Sequence, residues 1–482
     1  MSNKPPVRLK RVLGFAPAYG AAVGLVVSGT AMFSVGNVAG TTGYATCISA
    51  LIALIPMMMT AFAFGELSAM LPGGGMISDY TLPALGRFWA TFALLSGYLI
   101  LIAADGGTQL VMGGLSLESL CGIPQWVVTA LLFGIVIVIN IVNVDFYGKI
   151  EAIVTIAMML VFTALSIAGN LHIGESFGAT PVNQLTGFLP EGGWGTVLNA
   201  TGTAIWFFIG FEFACPMAEE NKKPYKNIPY ALIIGLITIY LIDSLFAVAA
   251  VRYTDVEVLR TSAIPQTMAA HAMMGNIGYI AMTVLTILAS FTTANAYLAS
   301  LPRMLYGLAR ERLVPSFFGK INRRFRTPVY GVIFTAGMIL ITIVYITFNG
   351  ADASVVQGLI NTASITWMVS YAIAMIDVLV LRKKYPDFPR LWKAPCAKVT
   401  MSIGLLGVVY AIYTLRDYWF QAFLCMAAIA LYCLIWGKFK KIDLWHATKI
   451  RDTVSDIRER SEYLPVWDEA VDQWCKEHET LA

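Results

Sequence analysis

Apolar runs of about twenty residues fill most of this chain, at roughly 16–37, 44–71, 88–114, 125–144, 149–169, 196–219, 229–251, 276–300, 329–348, 354–381, 398–415 and 418–436. A run of that length crosses the ~30 Å hydrocarbon core of a bilayer as an α-helix rising 1.5 Å per residue. Within lipid each backbone N–H and C=O must bond inside its own segment, which makes helices of such runs. The predicted fold is an all-α, multi-pass membrane protein of twelve transmembrane helices. The composition agrees, with 57% hydrophobic and 13% charged residues, against about 45–50% and about 25% in soluble domains. The spans leave no room for a soluble catalytic domain. No histidine cluster, nucleophile triad or phosphate loop appears, so neither an enzyme nor a bound cofactor or metal is expected.

Three regions follow: a basic leader (1–13), the twelve-span domain (14–436) and a tail (437–482). The leader carries Lys4, Arg8, Lys10 and Arg11. The apolar run after it is too long for a signal core and lacks a small-residue cleavage site, so it reads as span 1. Of the 33 lysines and arginines, only Arg252, Arg260 and Arg416 fall in loops assigned to the outside. That bias puts both termini in the cytoplasm. The net charge of +4 therefore reflects topology, and a nucleic acid partner is not implied. The inner segment 302–328 is basic and reads as an anchor against anionic headgroups. In the tail, Leu444, Ile450, Val454 and Ile457 recur at near-helical spacing among charges, which predicts an amphipathic helix. Seven cysteines show neither metal-ligand spacing nor a disulfide framework. Cys121 alone sits in an outer loop, where an unpaired thiol is expected, and no partner subunit.

Two spans are interrupted. Span 1 contains Ser28-Gly29-Thr30-Ala31-Met32-Phe33, flanked by Gly24 and Gly36. Span 6 contains Ile209-Gly210-Phe211-Glu212, followed by Cys215-Pro216. Glycine lets a helix open and turn backbone groups toward a ligand. Interrupted spans five apart point to two inverted five-helix repeats with a binding site between the breaks. Helix unwinding is predicted near 28–32 and 209–213. Five acids fall inside spans, clear of the first and last three residues of each run: Glu66, Asp105, Glu212, Asp243 and Asp377. An intramembrane charge costs about 2.5–3.5 kcal/mol on insertion scales, so such residues face cavities and serve function. Glu66 and Asp377 lie near the inner span ends, where a salt bridge is the plainer reading. Asp105 sits mid-span in Ala103-Ala104-Asp105-Gly106-Gly107, and small neighbours suit close packing against a cavity.

At these residues the chain resembles the amino acid–polyamine–organocation superfamily of permeases. The similar segments are Gly29-Thr30-Ala31-Met32-Phe33 in span 1, and Gly65-Glu66-Leu67 with Pro72 to Gly75 and Tyr80 after span 2. Others are Gly210-Phe211-Glu212 with Glu219-Glu220 and Pro229, and Pro302-Arg303 through Arg310 with Pro315 and Pro328. The last is Leu381-Arg382 with Pro386-Asp387. The resemblance implies the leucine-transporter fold, with spans 1–5 and 6–10 as inverted repeats and spans 1 and 6 broken. It implies an amino acid or amine substrate held between them by Ser28, Gly29, Thr30, Ala31, Met32, Trp206, Ile209, Gly210 and Glu212, with Asp105 from span 3. Trp206 would cover the substrate, and Glu212 and Asp105 would couple it to protons. Ala31 stands where the family has a second glycine. Met158 stands near a lysine that in some proton-coupled members replaces a sodium ion. Ser290 and Thr293 of span 8 are the candidate sodium ligands, although hydroxyls in membrane helices more often bond their own backbone.

The expected function is secondary active transport of an amino acid or amine across the cell (inner) membrane, by symport with protons or by antiport. Two buried acids favour cationic or amine substrates, polyamines included. The alternatives are a neutral amino acid permease whose acids serve the proton path, and a transporter-like nutrient sensor.

Overall fold

The computed structural model describes residues 10–142, 147–182, 187–322, 325 and 327–478. The leader up to residue 9 and the tail beyond residue 478 lie outside the described residues. The regular elements of the described chain are helices, and an isolated bridge joins Leu13 and Asn221. In order the helices are α1 (Phe15–Gly24), α2 (Gly29–Thr42), α3 (Thr46–Met70), α4 (Ile77–Leu85), α5 (Arg87–Ala93), α6 (Ile100–Cys121), α7 (Gln125–Val142) and α8 (Tyr147–Asn170). Next come α9 (Gly193–Asn199), α10 (Thr201–Ala204), α11 (Pro224–Tyr253), α12 (Val256–Thr261), α13 (Pro265–Arg310) and α14 (Val329–Asn349). The chain ends with α15 (Ala353–Lys384), α16 (Ala397–Thr414), α17 (Trp419–Lys440), α18 (Ile450–Arg460) and α19 (Pro465–Glu477).

Among the described residues eleven helical stretches are long and apolar enough to span a membrane. The first, Gly29–Met70, has 42 residues, about 63 Å at 1.5 Å per residue. That is twice the thickness of the hydrocarbon core, and the stretch turns at Gly43, where φ is 60°. α1, with ten residues, reaches only about 15 Å and cannot cross alone. α1 and α2 together cover the residues expected of span 1. The break between them covers residues 25–28 and meets the zone predicted at 28–32 only at Ser28, since residues 29–32 are helical. Ser28 is the reason: its hydroxyl accepts from the Ala31 N–H at 3.2 Å, and this cap starts α2 at Gly29.

The segment 252–275, between the apolar runs at 229–251 and 276–300, is largely helical. It holds α12 and the first turns of α13, which kinks at Gly275. α6 and α15 lie in the middle of the bundle, with most of their side chains buried. α7, α14 and α17 keep large apolar side chains on the outside, such as Val138, Phe348 and Phe423, as lipid contact demands.

The first and last described segments meet. Arg11 donates to the carbonyls of Ala218, Asn221 and Glu462 and to the Ser461 hydroxyl. The tail forms two helices where one was expected, and Leu444 lies in the non-helical link before them. Ile450, Val454 and Ile457 on α18 and Trp467, Val471 and Trp474 on α19 are buried against the span ends. The Trp467 indole donates to the Met70 carbonyl at 2.9 Å, and Trp474 meets Phe388 edge-on at 5.0 Å.

Candidate functional site

The two breaks touch. Gly210 adopts φ +106°, a conformation open to glycine at little cost. A Cβ there would also stand 2.6 Å from Leu25 Cδ2, in the break between α1 and α2. The span 6 segment does not resume as an α-helix after this turn. It continues as a 3₁₀ helix, Phe211–Glu219, with Pro216 inside it. Gly29 is equally constrained, since a Cβ would lie 2.8 Å from Ser290 Oγ and 3.0 Å from Gln109 Oε1. The α2 N-terminus therefore lies close to both α6 and α13.

Asp105 on α6 gathers three donors from three helices. Its carboxylate accepts from Thr30 Oγ1 at 2.7 Å, Tyr297 Oη at 2.7 Å and Gln109 Nε2 at 3.0 Å. The Thr30 hydroxyl oxygen also accepts from Gln109 Nε2 at 2.7 Å and from the Trp206 indole at 3.2 Å. Trp206 and Asp105 thus meet at Thr30. At the start of α2, Ser28 uses the Ala31 N–H and, through its carbonyl, the Met32 N–H at 3.0 Å. The Gly29 and Thr30 amides have no acceptor among the described residues. They are the first donors of a helix, the kind that receives carboxylates.

Glu212 lies two residues past Gly210 and is held by two phenols. Tyr371 donates to Oε2 at 2.6 Å and Tyr98 to Oε1 at 3.1 Å. Tyr98 belongs to a π-helical turn, Leu94–Leu99, between α5 and α6. Its ring packs on Trp367 at 5.3 Å and Phe213 at 5.7 Å. Phe213 in turn lies 6.4 Å from the Tyr297 ring, so it bridges the two acid centres. Toward the terminal face, Phe64, Tyr80, Phe211 and Tyr371 form an aromatic layer with centroids 5.8–6.5 Å apart. The centre is closed to solvent, with Glu212 and Thr30 at 0% exposure, Asp105 at 2% and Trp206 at 3%.

The remaining residues singled out by sequence are placed as follows. Ala31, Met32 and Ile209 are buried beside the breaks. Ser290 and Thr293 are buried too, but their hydroxyls bond neither their own backbone nor any other described residue. Glu66 forms the expected salt bridge. Arg382 forks onto its carboxylate at 2.8 and 2.6 Å, Arg390 Nε lies at 3.4 Å, and the Ala394 N–H donates at 2.8 Å. Asp377 does not follow the same reading, because it accepts from the Thr81 hydroxyl at 2.6 Å and forms no salt bridge among the described residues. Asp243 is buried in α11 with no ion-pair partner among the described residues.

Sequence reasoning missed Tyr98, Gln109, Phe213, Tyr297, Trp367 and Tyr371. Two signals were available. Gln109 follows Asp105 by four residues, which puts both on one face of a helix. Trp367 and Tyr371 are four apart on α15, and a buried phenol or indole seeks a polar partner. Nothing in a single sequence links those faces to Glu212.

Neither Asp105 nor Glu212 meets a basic side chain among the described residues. A carboxylate in such a place can carry a proton or receive an ammonium group. The hydrogen bonds that now fill the centre, Thr30 to Asp105 and Trp206 to Thr30, must give way to any ligand that enters.

A family model described as "Amino acid permease" matches residues 13–437. The chain is 26% identical over 451 residues to the gamma-aminobutyric acid permease of Escherichia coli, covering 89% of this chain and 94% of that protein. It is 25% identical over 470 residues to the branched-chain amino acid permease BcaP of Bacillus subtilis, covering 90% and 95%. A cationic amino acid transporter of Arabidopsis thaliana matches at 26% over 405 residues, covering 79% of this chain and 63% of that protein. Among solved structures, the manganese transporter of Eremococcus coleocola superposes with a TM-score of 0.56 at 12% identity, covering 95% of this chain and 99% of that one. At that identity the superposition speaks to fold alone. The resemblance drawn from the motifs is borne out.

Proposed function

The chain belongs to the amino acid permease family of membrane transporters, and we propose that it moves an amino acid or related amine across the cell membrane by alternating access, coupled to protons or to exchange. In this reading α1 and α2 form one broken span, which makes twelve spans, the first ten an inverted pair of five. Both termini then face the cytoplasm. The substrate sits between the breaks. Its carboxylate, if it has one, meets the free Gly29 and Thr30 amides, its amine approaches Asp105, and Trp206 closes over it. Glu212 carries the proton.

The observation that supports this reading is the pair of buried carboxylates, Asp105 and Glu212, whose hydrogen-bond donors among the described residues are hydroxyls and one amide. Two such acids with no arginine or lysine beside them favour a positively charged substrate group. A second reading, a neutral amino acid permease, draws on a different observation. Asp105 already accepts three hydrogen bonds, so it could stay saturated and serve the proton path. Named relatives include permeases for gamma-aminobutyric acid and for branched-chain amino acids, which fits either reading.

Uptake into proteoliposomes separates them. A panel of labelled arginine, putrescine, gamma-aminobutyric acid and leucine is tested with and without an inward proton gradient. Accumulation that needs the gradient and favours the amines is expected. Accumulation of leucine alone favours the second reading. Uptake driven by sodium and indifferent to pH overturns the proton role and favours Ser290 and Thr293 as sodium ligands.

A further inference from the structure

The tail does more than cover the terminal face, because one of its arginines sits between acids on opposite sides of the path to the centre. Arg460, the last residue of α18, bonds Asp79 of α4 at 2.9 Å and Glu219 at the exit of span 6 at 3.2 Å. Asp456, one turn earlier, meets Arg460 at 3.0 Å and Arg310 at the end of α13 at 3.0 Å. The Gly74 N–H, just before α4, donates to Glu219 at 2.8 Å. Arg11, immediately before α1, is tied to Ser461 and Glu462 of the tail. A single cluster thus joins α1, α4, α13 and the span 6 exit, directly below the aromatic layer that closes over Glu212.

We propose that α18 and α19 form a latch that holds the terminal-side mouth of the transport path shut, with Arg460 as its key. Asp79 and Glu219 are both buried and both acidic, and they approach the same guanidinium. With Arg460 in place their charges are matched across the mouth. With Arg460 withdrawn, two like charges face each other in a partly dry site, and their repulsion drives the edges apart. α1 follows, since it is a ten-residue half-helix joined to α2 by the break at 25–28 and tethered to the tail through Arg11. The latch is a regulatory device in the fold: motion of the tail permits opening on this face. It rests on the transporter reading, but not on the identity of the substrate or the coupling ion.

The test reads accessibility, not transport, so it stands apart from the substrate assignment. Cys215 is buried four residues before Glu219 on the same 3₁₀ segment. Cys47 lies at the start of α3, at the far end from Met70 and the tail. N-ethylmaleimide labelling of each is followed by peptide mass spectrometry on the purified full chain. In Arg460→Ala, labelling of Cys215 is expected to quicken about tenfold while Cys47 keeps its wild-type rate. Should the alanine variant not fold, Arg460→Lys keeps one charge but cannot fork across two carboxylates, and about a threefold rise at Cys215 is expected. Unchanged labelling of Cys215 in a folded variant overturns the latch. An equal rise at Cys215 and Cys47 also overturns it, because the tail is then a general brace.

Discussion

Two groups of buried carboxylates in this molecule differ in their partners, and the difference separates scaffold from machinery. On the terminal rim Glu66 has Arg382 and Arg390, and Asp79 and Glu219 share Arg460. Burial works against the Arg460 charge, but Asp79, Glu219 and Asp456 outweigh it and hold the guanidinium above its ordinary range. At the centre, Asp105 and Glu212 meet only neutral donors among the described residues. A carboxylate matched by a guanidinium stays ionised and fixed in geometry. One held by phenols and hydroxyls keeps both protonation states within reach, and its donors can be exchanged for a ligand.

Removing a rim acid should therefore damage the fold most. Glu66 is 1% exposed and Arg390 is 3% exposed on its side chain. Glu66→Gln leaves Arg390 buried beside a neutral group, and breaking one half of a buried pair costs about 3–5 kcal/mol. Denaturation of the purified protein, followed by tryptophan fluorescence, should show a loss of that size. Unchanged stability would erase the distinction between rim and centre. At the centre the largest effect falls on function. Glu212→Gln keeps the shape and still accepts from Tyr98 and Tyr371, yet it cannot carry a proton. Accumulation driven by a proton gradient should collapse to simple equilibration, with substrate binding reduced much less. A variant that still concentrates substrate with unchanged pH dependence moves the proton elsewhere, with Asp105 next in line.

The rim and the centre were not equally legible in the sequence. Glu212 and Asp105 stood out because a charge in an apolar run has few explanations, and Gly210 beside Glu212 marked the break in span 6. Glu66 read correctly as a salt bridge because it lies at a span end, where basic residues gather. Asp377 has the same sequence context but meets Thr81, since which side chain rotates toward it depends on helix packing. The break in span 1 fell before its glycine because Ser28 caps the helix, a local choice that glycine spacing does not report. The tyrosines around Glu212 come from α15 and a π-turn ahead of α6, and no pattern within either segment points at span 6. The Arg460 cluster needs a tail folded back across the molecule, which is a tertiary fact.

Asp105 tests the comparison from the substrate side. Asp105→Asn keeps a carbonyl acceptor but offers no charge to an amine. A hydrogen bond to a charged group contributes about 1.5–3 kcal/mol, equivalent to roughly 10–100-fold in affinity. Binding of arginine or putrescine should fall by that factor, measured by competition in proteoliposomes, while leucine changes little. Equal losses for all substrates would make Asp105 a brace for Thr30, Gln109 and Tyr297, and so a member of the rim class despite its neutral partners.

The smallest effect is expected where polar atoms have no partner at all. Ser290 Oγ and Thr293 Oγ1 are buried on α13 without a hydrogen bond to any described residue. A buried hydroxyl left unbonded costs about 1–3 kcal/mol by protein mutational data, so removing it should not weaken the fold. Ser290→Ala and Thr293→Val together should leave stability equal or slightly raised. If protons drive transport, uptake should change by less than about twofold, because these hydroxyls make none of the contacts that hold Asp105 or Glu212. A sodium ion bound there would reverse both outcomes, since the hydroxyls would then be its ligands and their loss would remove sodium-dependent stabilisation. Thermal unfolding with and without sodium, set beside uptake in the same variant, distinguishes the two. A sodium-dependent rise in wild-type stability that disappears in the double variant would add a cation to a centre otherwise described by two acids and their neutral donors.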